Sequence, residues 1–172
     1  MSIKHNISFI LATLIFVLAV PHAAHAESGY ALQNSLINHA HKGDEYMKQR
    51  QYALAKSEYD QAIRYMHKLK RKCRGIFKSC YIKDKKTFYK RFAKPYIDRG
   101  FSRFAQRNYR GAINDANTDI GWNNNHPRAH ILLSITAYMQ NDMRGARKDY
   151  EIVLKLNPTL ATTMLRNMPK LR

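Results

Sequence analysis

Acidic residues are scarce in this chain: 12 Asp and Glu stand against 30 Lys and Arg, a formal net charge of +18. A charge that large on 172 residues does not set the fold, but it predicts attraction to anionic polymers or surfaces. Catalytic signatures are missing as well. There is no Gly-rich phosphate loop, no HExxH, no serine in a nucleophile-elbow setting and no set of four metal ligands. No catalytic residue, cofactor site, metal site or small-molecule substrate is therefore expected. Asp115 and Asp119 lie four apart on a helical pattern and read as a charged face pairing with nearby lysine or arginine rather than as an acid–base couple. His126 and His130 have the same spacing and supply only two ligands, and His39 and His41 fall about 200° apart on a helix.

Long apolar runs are also absent, apart from Ile7 to Val20. That run follows Lys4, is broken by Pro21 and leads into Ala24-His25-Ala26, a small–x–small cleavage pattern. It is too short to span a bilayer comfortably and reads as a signal peptide over 1–26, cut after Ala26, placing the protein in the periplasm or outside the cell. The residue directly after the cut is Glu27 and not cysteine, which argues against a lipoprotein. The remainder, 27–172, has the length of one domain. Cys73 and Cys80 are the only cysteines, and in an exported chain a disulfide is the expected use. Free thiols, or a zinc site with His67, are the alternatives.

What is present is helical periodicity. Arg128 to Pro158 reads as two amphipathic helices: Ala129, Leu132, Leu133, Ile135, Thr136, Tyr138 and Met139, then, after Asn141-Asp142, Met143, Ala146, Tyr150, Val153, Leu154 and Leu156. Pro158 stops the second. A lone hairpin cannot bury its faces, and copies occur upstream. Ala112 lies 34 residues before Ala146, and Tyr109-Arg110-Gly111-Ala112 matches Met143-Arg144-Gly145-Ala146. Gly43, Tyr46, Ala55, Tyr59 and Ala62 form an earlier copy, with Gly100 in the middle one. In that middle copy Ala116 and Asp119 stand where an aromatic and a small residue are expected.

On these residues the chain resembles the tetratricopeptide repeat (TPR) family. The resemblance implies an all-α fold: a right-handed superhelix of about three helical hairpins, over about 32–67, 93–124 and 127–158, with a capping helix over 159–168. Thr159 is placed to cap that last helix, and Met164 and Leu165 to cover the open end. Helix boundaries near 32–50 and 53–66 are expected in the first repeat. Ala55 and Ala112 are 57 apart, so an insertion over 68–92 separates repeats one and two. It carries both cysteines and a basic run, Lys70, Arg71, Lys72, Arg74, Lys83, Lys85, Lys86, Lys90 and Arg91, interleaved with Tyr81, Phe88, Tyr89 and Phe92, and a short helix over 82–92.

The family's first helices line a face that commonly holds a peptide. Carried over by position, that face would comprise Ile37, Ala40, Asp44 and Met47, then Lys94, Ile97, Phe101 and Phe104, then Arg128, Ile131, Ile135 and Tyr138. It lacks the lysine–asparagine set by which some members clamp a C-terminal carboxylate. A non-enzymatic scaffold for an acidic or amphipathic protein segment in the cell envelope is the first functional expectation. The second is an anion patch on the insertion, for envelope polymer or lipid, with nucleic acid less expected in an exported protein. Each has a plain alternative: the groove residues are simply core, with Phe88, Tyr89 and Phe92 folding back to fill the face, and the basic run is a solvated surface.

Overall fold

The structure, a computed structural model, describes residues 28–73 and 85–171, and these residues form eight α-helices with no strand. Helix α1 (Gly29–Lys48) starts where the Ser28 hydroxyl accepts from the Ala31 N–H, and it turns Leu32, Leu36, Ala40 and Gly43 inward. Helix α2 (Tyr52–Cys73) answers with Ala55, Tyr59, Ala62, Ile63, Met66 and Leu69. A methyl at Gly43 would sit 2.5 Å from the Tyr59 ring, so only glycine lets that ring lie flat against α1. The Tyr59 hydroxyl then donates to Asp44 at 2.8 Å.

The middle hairpin is α4 (Lys94–Ala105) and α5 (Tyr109–Ile120); the third is α6 (Pro127–Met139) and α7 (Met143–Leu156). Opposite Gly100 the near neighbour is Leu132 of the next hairpin, at 2.6 Å from a built methyl. Leu132 thus takes the place that Tyr59 fills opposite Gly43. That is how the middle repeat tolerates Ala116 where an aromatic is expected. Consecutive helices pack on one another from α4 onward, α2 packs on α4, and α1, α4 and α6 touch in turn as first helices of their hairpins.

The three hairpin turns share one geometry. Gln51 N–H donates to Tyr46 O at 2.9 Å, Asn108 N–H to Arg103 O at 2.8 Å, and Asp142 N–H to Ala137 O at 2.9 Å. Each bond closes a helix C-terminus around a residue in the left-handed region: Arg50 (φ 58), Arg107 (φ 60) and Asn141 (φ 63). The second helices of hairpins two and three are capped by Asn108 onto Gly111 and by Asp142 onto Gly145.

Several boundaries differ from expectation. Helix α2 runs on to Cys73, because Met66 and Leu69 extend its buried stripe into the expected insertion. Helix α3 covers Lys85–Phe92 and ends where expected; 82–84 lie outside the described residues. The last helix, α8 (Pro158–Asn167), is capped by Asn157, whose side chain accepts from the Leu160 N–H, and not by Thr159. Its Ala161 and Met164, with the C-cap residue Met168 and Leu171 of a terminal 3-10 turn (Pro169–Leu171), pack on Ala146 and Val153 and close the end of the stack.

Candidate peptide-binding face

The face made by α1, α4 and α6 is held in register by a line of charge. Lys94 at the start of α4 bonds Asp44 of α1 at 3.1 Å and Asp98 one turn along its own helix. Asp98, only 4% exposed, also receives Arg128 of α6 at 2.8 Å. Burial works against the Lys94 charge, but Asp98 and Asp44 outweigh it and raise the ammonium's pKa above its usual value. The Arg128 guanidinium lies 5.2 Å over the Phe101 ring. Lys94 to Asp98 has helical i, i+4 spacing, the one sequence signal for this ladder; the bonds to Asp44 and Arg128 needed the packing of three helices.

The expected groove residues divide into two groups. Ile97 is fully buried among Ala112, Ala116, Ala129 and Leu132, so it is core and not lining. Ala40 is buried too. Phe101, Ile131, Ile135 and Tyr138 are half-buried, flanking the central and C-terminal cores, while Phe104 leans on Tyr109 with ring centres 5.7 Å apart. Ile37, Ala40, Asp44 and Lys94 meet in a cleft of about 270 Å³ between α1 and the start of α4. Its wall is completed by Leu36, Phe92 and Pro95, with His41 and Arg91 at the lip. Phe92 reaches the cleft from the insertion, in line with the alternative that the insertion's aromatics fold back onto the face, and it brings Arg91 with it.

The insertion's aromatics among the described residues are core; Tyr81 lies outside them. Phe88, Tyr89 and Phe92 are at most 5% exposed and pack with Leu32, Leu36, Ile63, Met66 and Leu69. Tyr89 stacks on Trp122 from the loop after α5, with ring centres 3.8 Å apart and planes within 2°. They close one end of the first hairpin, and only Phe92 reaches the cleft. Phe88, Tyr89 and Phe92 therefore fold back into the core and add no exposed rings to the basic run. Lys70 is drawn in as well: it donates to the Tyr89 hydroxyl and lies 4.8 Å over that ring. Arg71, Lys90 and Arg91 are exposed. Lys72 is half-buried, Lys85 and Lys86 open α3, and Arg74, Lys83 and Cys80 lie outside the described residues. Cys73 closes α2 beside the first core.

The titratable candidates are tied into the packing. Asp115 and Asp119 are buried rather than on a solvated face: Asp115 holds Arg99 and Arg103, and Asp119 holds His126. His130 sits between Asp149 at 2.9 Å and the Asn124 carbonyl at 3.0 Å. His39 pairs with Glu58 at 2.6 Å across the first hairpin, and both pairs are 19 residues apart in sequence, a repeat signal passed over in the sequence. His67 faces the Tyr96 hydroxyl at 2.9 Å; burial, then the charges of Lys70, Arg71 and Arg99, lower its pKa. No cluster of three or more metal-ligating side chains occurs among the described residues. None of their helices is long and apolar enough to cross a membrane.

Solved structures share this arrangement. The first TPR of Spaghetti (RPAP3), bound to the HSP90 peptide SRMEEVD, superposes with a TM-score of 0.59 at 21% identity, covering 80% of this chain and 95% of that one. The fold is that of a TPR domain. The C-terminal TPR-containing domain of a Plasmodium falciparum putative FK506-binding protein gives 0.57 at 15% identity, covering 83% and 96%. No protein-family model and no curated protein matches the sequence.

Proposed function

We propose that this chain is a non-enzymatic, exported TPR scaffold of the cell envelope that takes an amphipathic peptide segment with acidic flanks along its first helices. The observation that carries this reading is the partial exposure of Phe101, Ile131, Ile135 and Tyr138 on successive first helices, with Arg91 exposed at the cleft between α1 and α4. The Spaghetti domain is bound to a peptide, which supports a peptide as the class of partner. Here Lys94 and Arg128 already hold Asp44 and Asp98, so an internal segment fits better than a free C-terminal carboxylate. Selection from a random displayed-peptide library should enrich apolar sequences with acidic flanks. Phe101→Ala with Tyr138→Ala should weaken the winners at least about tenfold, or about 1.4 kcal/mol. Winners that bind the double variant as well as the parent would refute the groove.

Export rests on the Lys4 to Ala26 pattern, and a Cys73–Cys80 disulfide rests on that compartment. Intact mass of the protein secreted by a bacterial host should match a chain beginning at Glu27 and lacking two thiol hydrogens. A mass that retains the leader, or both thiols, would remove the corresponding part of the proposal.

The second reading, an anionic envelope polymer or lipid held by the insertion, keeps one supporting observation. Arg71, Lys90 and Arg91 are exposed and have no carboxylate partner among the described residues.

A further inference from the structure

The hairpin turns line up along the edge where first helices hand over to second helices, remote from the insertion. Two features there do not serve stability. Arg50 and Arg107 occupy left-handed backbone, where an L side chain other than Asn or Asp is disfavoured by about 1 kcal/mol or more and where the third turn has Asn141. Arg110 and Arg144 stand in the first turns of α5 and α7, which contain no acid, at the helix end where positive charge is unfavourable. Arg147 follows Arg144 at i+3 on the same exposed face.

None of these five arginines has a carboxylate partner among the described residues, and all are exposed. Of the acids near this edge, Glu45 is paired with Lys48 at 2.8 Å, Asp142 caps α7 through the Gly145 N–H and keeps its charge, and Glu151 is exposed one turn beyond Arg147, so the five arginines outnumber the unpaired acids. Neighbouring hairpins set successive rungs about 10 Å apart, the usual spacing of packed helices.

We infer that this row, Arg50, Arg107, Arg110, Arg144 and Arg147, is a binding edge for a linear polyanion bearing closely spaced phosphate or sulfate groups. Guanidinium fits such groups through paired N–H donors, which explains arginine in places where asparagine would cost less. The proposal is independent of the peptide face and of the insertion's basic run.

The test compares two variants of equal charge loss. One carries Arg50→Asn, Arg107→Asn, Arg110→Gln, Arg144→Gln and Arg147→Gln. The other carries Lys42→Gln, Arg64→Gln, Lys155→Gln, Arg166→Gln and Lys170→Gln, exposed cations outside the cleft, the insertion and the hairpin turns. Binding to inorganic polyphosphate, heparin and a single-stranded oligonucleotide is measured across a salt series, and the tightest arm identifies the source of the anion. Each lost contact removes about 0.7 to 0.9 from the slope of log affinity against log salt, so the first variant should lose about 3.5 to 4.5. The second should lose about one or less. Equal losses in both variants, or none in the first, would overturn the proposal. So would binding to anionic lipid vesicles with none to the three linear probes. Thermal melting should show the first variant no less stable, since asparagine suits those turns. If it does not fold, Arg110→Gln with Arg144→Gln alone should still lower the slope by about 1.4 to 1.8.

Discussion

Replacing Asp115 with alanine is expected to cost this protein about 3–5 kcal/mol, a large share of the stability of any domain this size. Asp115 is 2% exposed and accepts Arg99 through both oxygens, Nε at 3.0 Å and Nη2 at 2.6 Å, while Arg103 reaches it at 2.9 Å. Removing the carboxylate leaves two guanidiniums, 14% and 20% exposed, beside an empty space. Uncompensated charge in such a place costs far more than the pair contributed, because the desolvation remains and the attraction is gone. Arg99 would retain Asp60 at 2.7 Å, so a value near the lower end is expected. Asp60 itself is the control. It is 26% exposed and is shared with Lys56, and its removal leaves Arg99 bonded to Asp115, so Asp60→Ala should cost only about 1 kcal/mol. Urea unfolding checks both: the midpoint should fall with the slope unchanged. A loss below about 1 kcal/mol for Asp115→Ala would show that the network does not clamp α2, α4 and α5 together.

That network also marks the limit of what the sequence discloses. Gly43, Tyr59 and Ala62, or Ala112 and Ala146, announce hairpins because their spacing repeats and because small residues opposite large ones are local facts. The all-helical stack was therefore legible. The site was legible only in part, since exposure is decided by neighbours far along the chain. Ile97 and Phe101 are equally apolar and four residues apart, yet one is fully buried and the other keeps an open edge under Arg128. Helix α3 was less legible still. Its basic residues suggested a surface, but Phe88, Tyr89 and Phe92 fall on one stripe of a short helix and bury, with Trp122, 33 residues beyond Tyr89, completing the stack. No period links residues of an insertion to a loop after the following repeat. Likewise the shared left-handed turns were hidden because two of the three carry arginine where glycine or asparagine would have been the signal.

Tyr59 gives the second large expected effect, and it tests whether the glycine–aromatic contact organises the first hairpin. The ring is 1% exposed and lies against Gly43, so Tyr59→Ala should cost about 3–5 kcal/mol through lost burial and a cavity. Tyr59→Phe removes only the hydroxyl's bond to Asp44 and should cost about 1 kcal/mol. Gly43→Ala has two opposed parts. Alanine favours the helix by about 1 kcal/mol, but its methyl would lie 2.5–2.8 Å from three ring atoms, and overpacking of that kind costs about 1–3 kcal/mol. The net change in the parent should be destabilising or near zero. With Tyr59→Ala already present the clash is gone and only the helical gain remains, so Gly43→Ala should then stabilise by up to about 1 kcal/mol. A coupling of about 1–3 kcal/mol between the two positions, with that sign, is what direct contact requires. Additivity within about 0.5 kcal/mol would mean that the ring moves aside at little cost and that Gly43 is tolerated for its size but not needed for it.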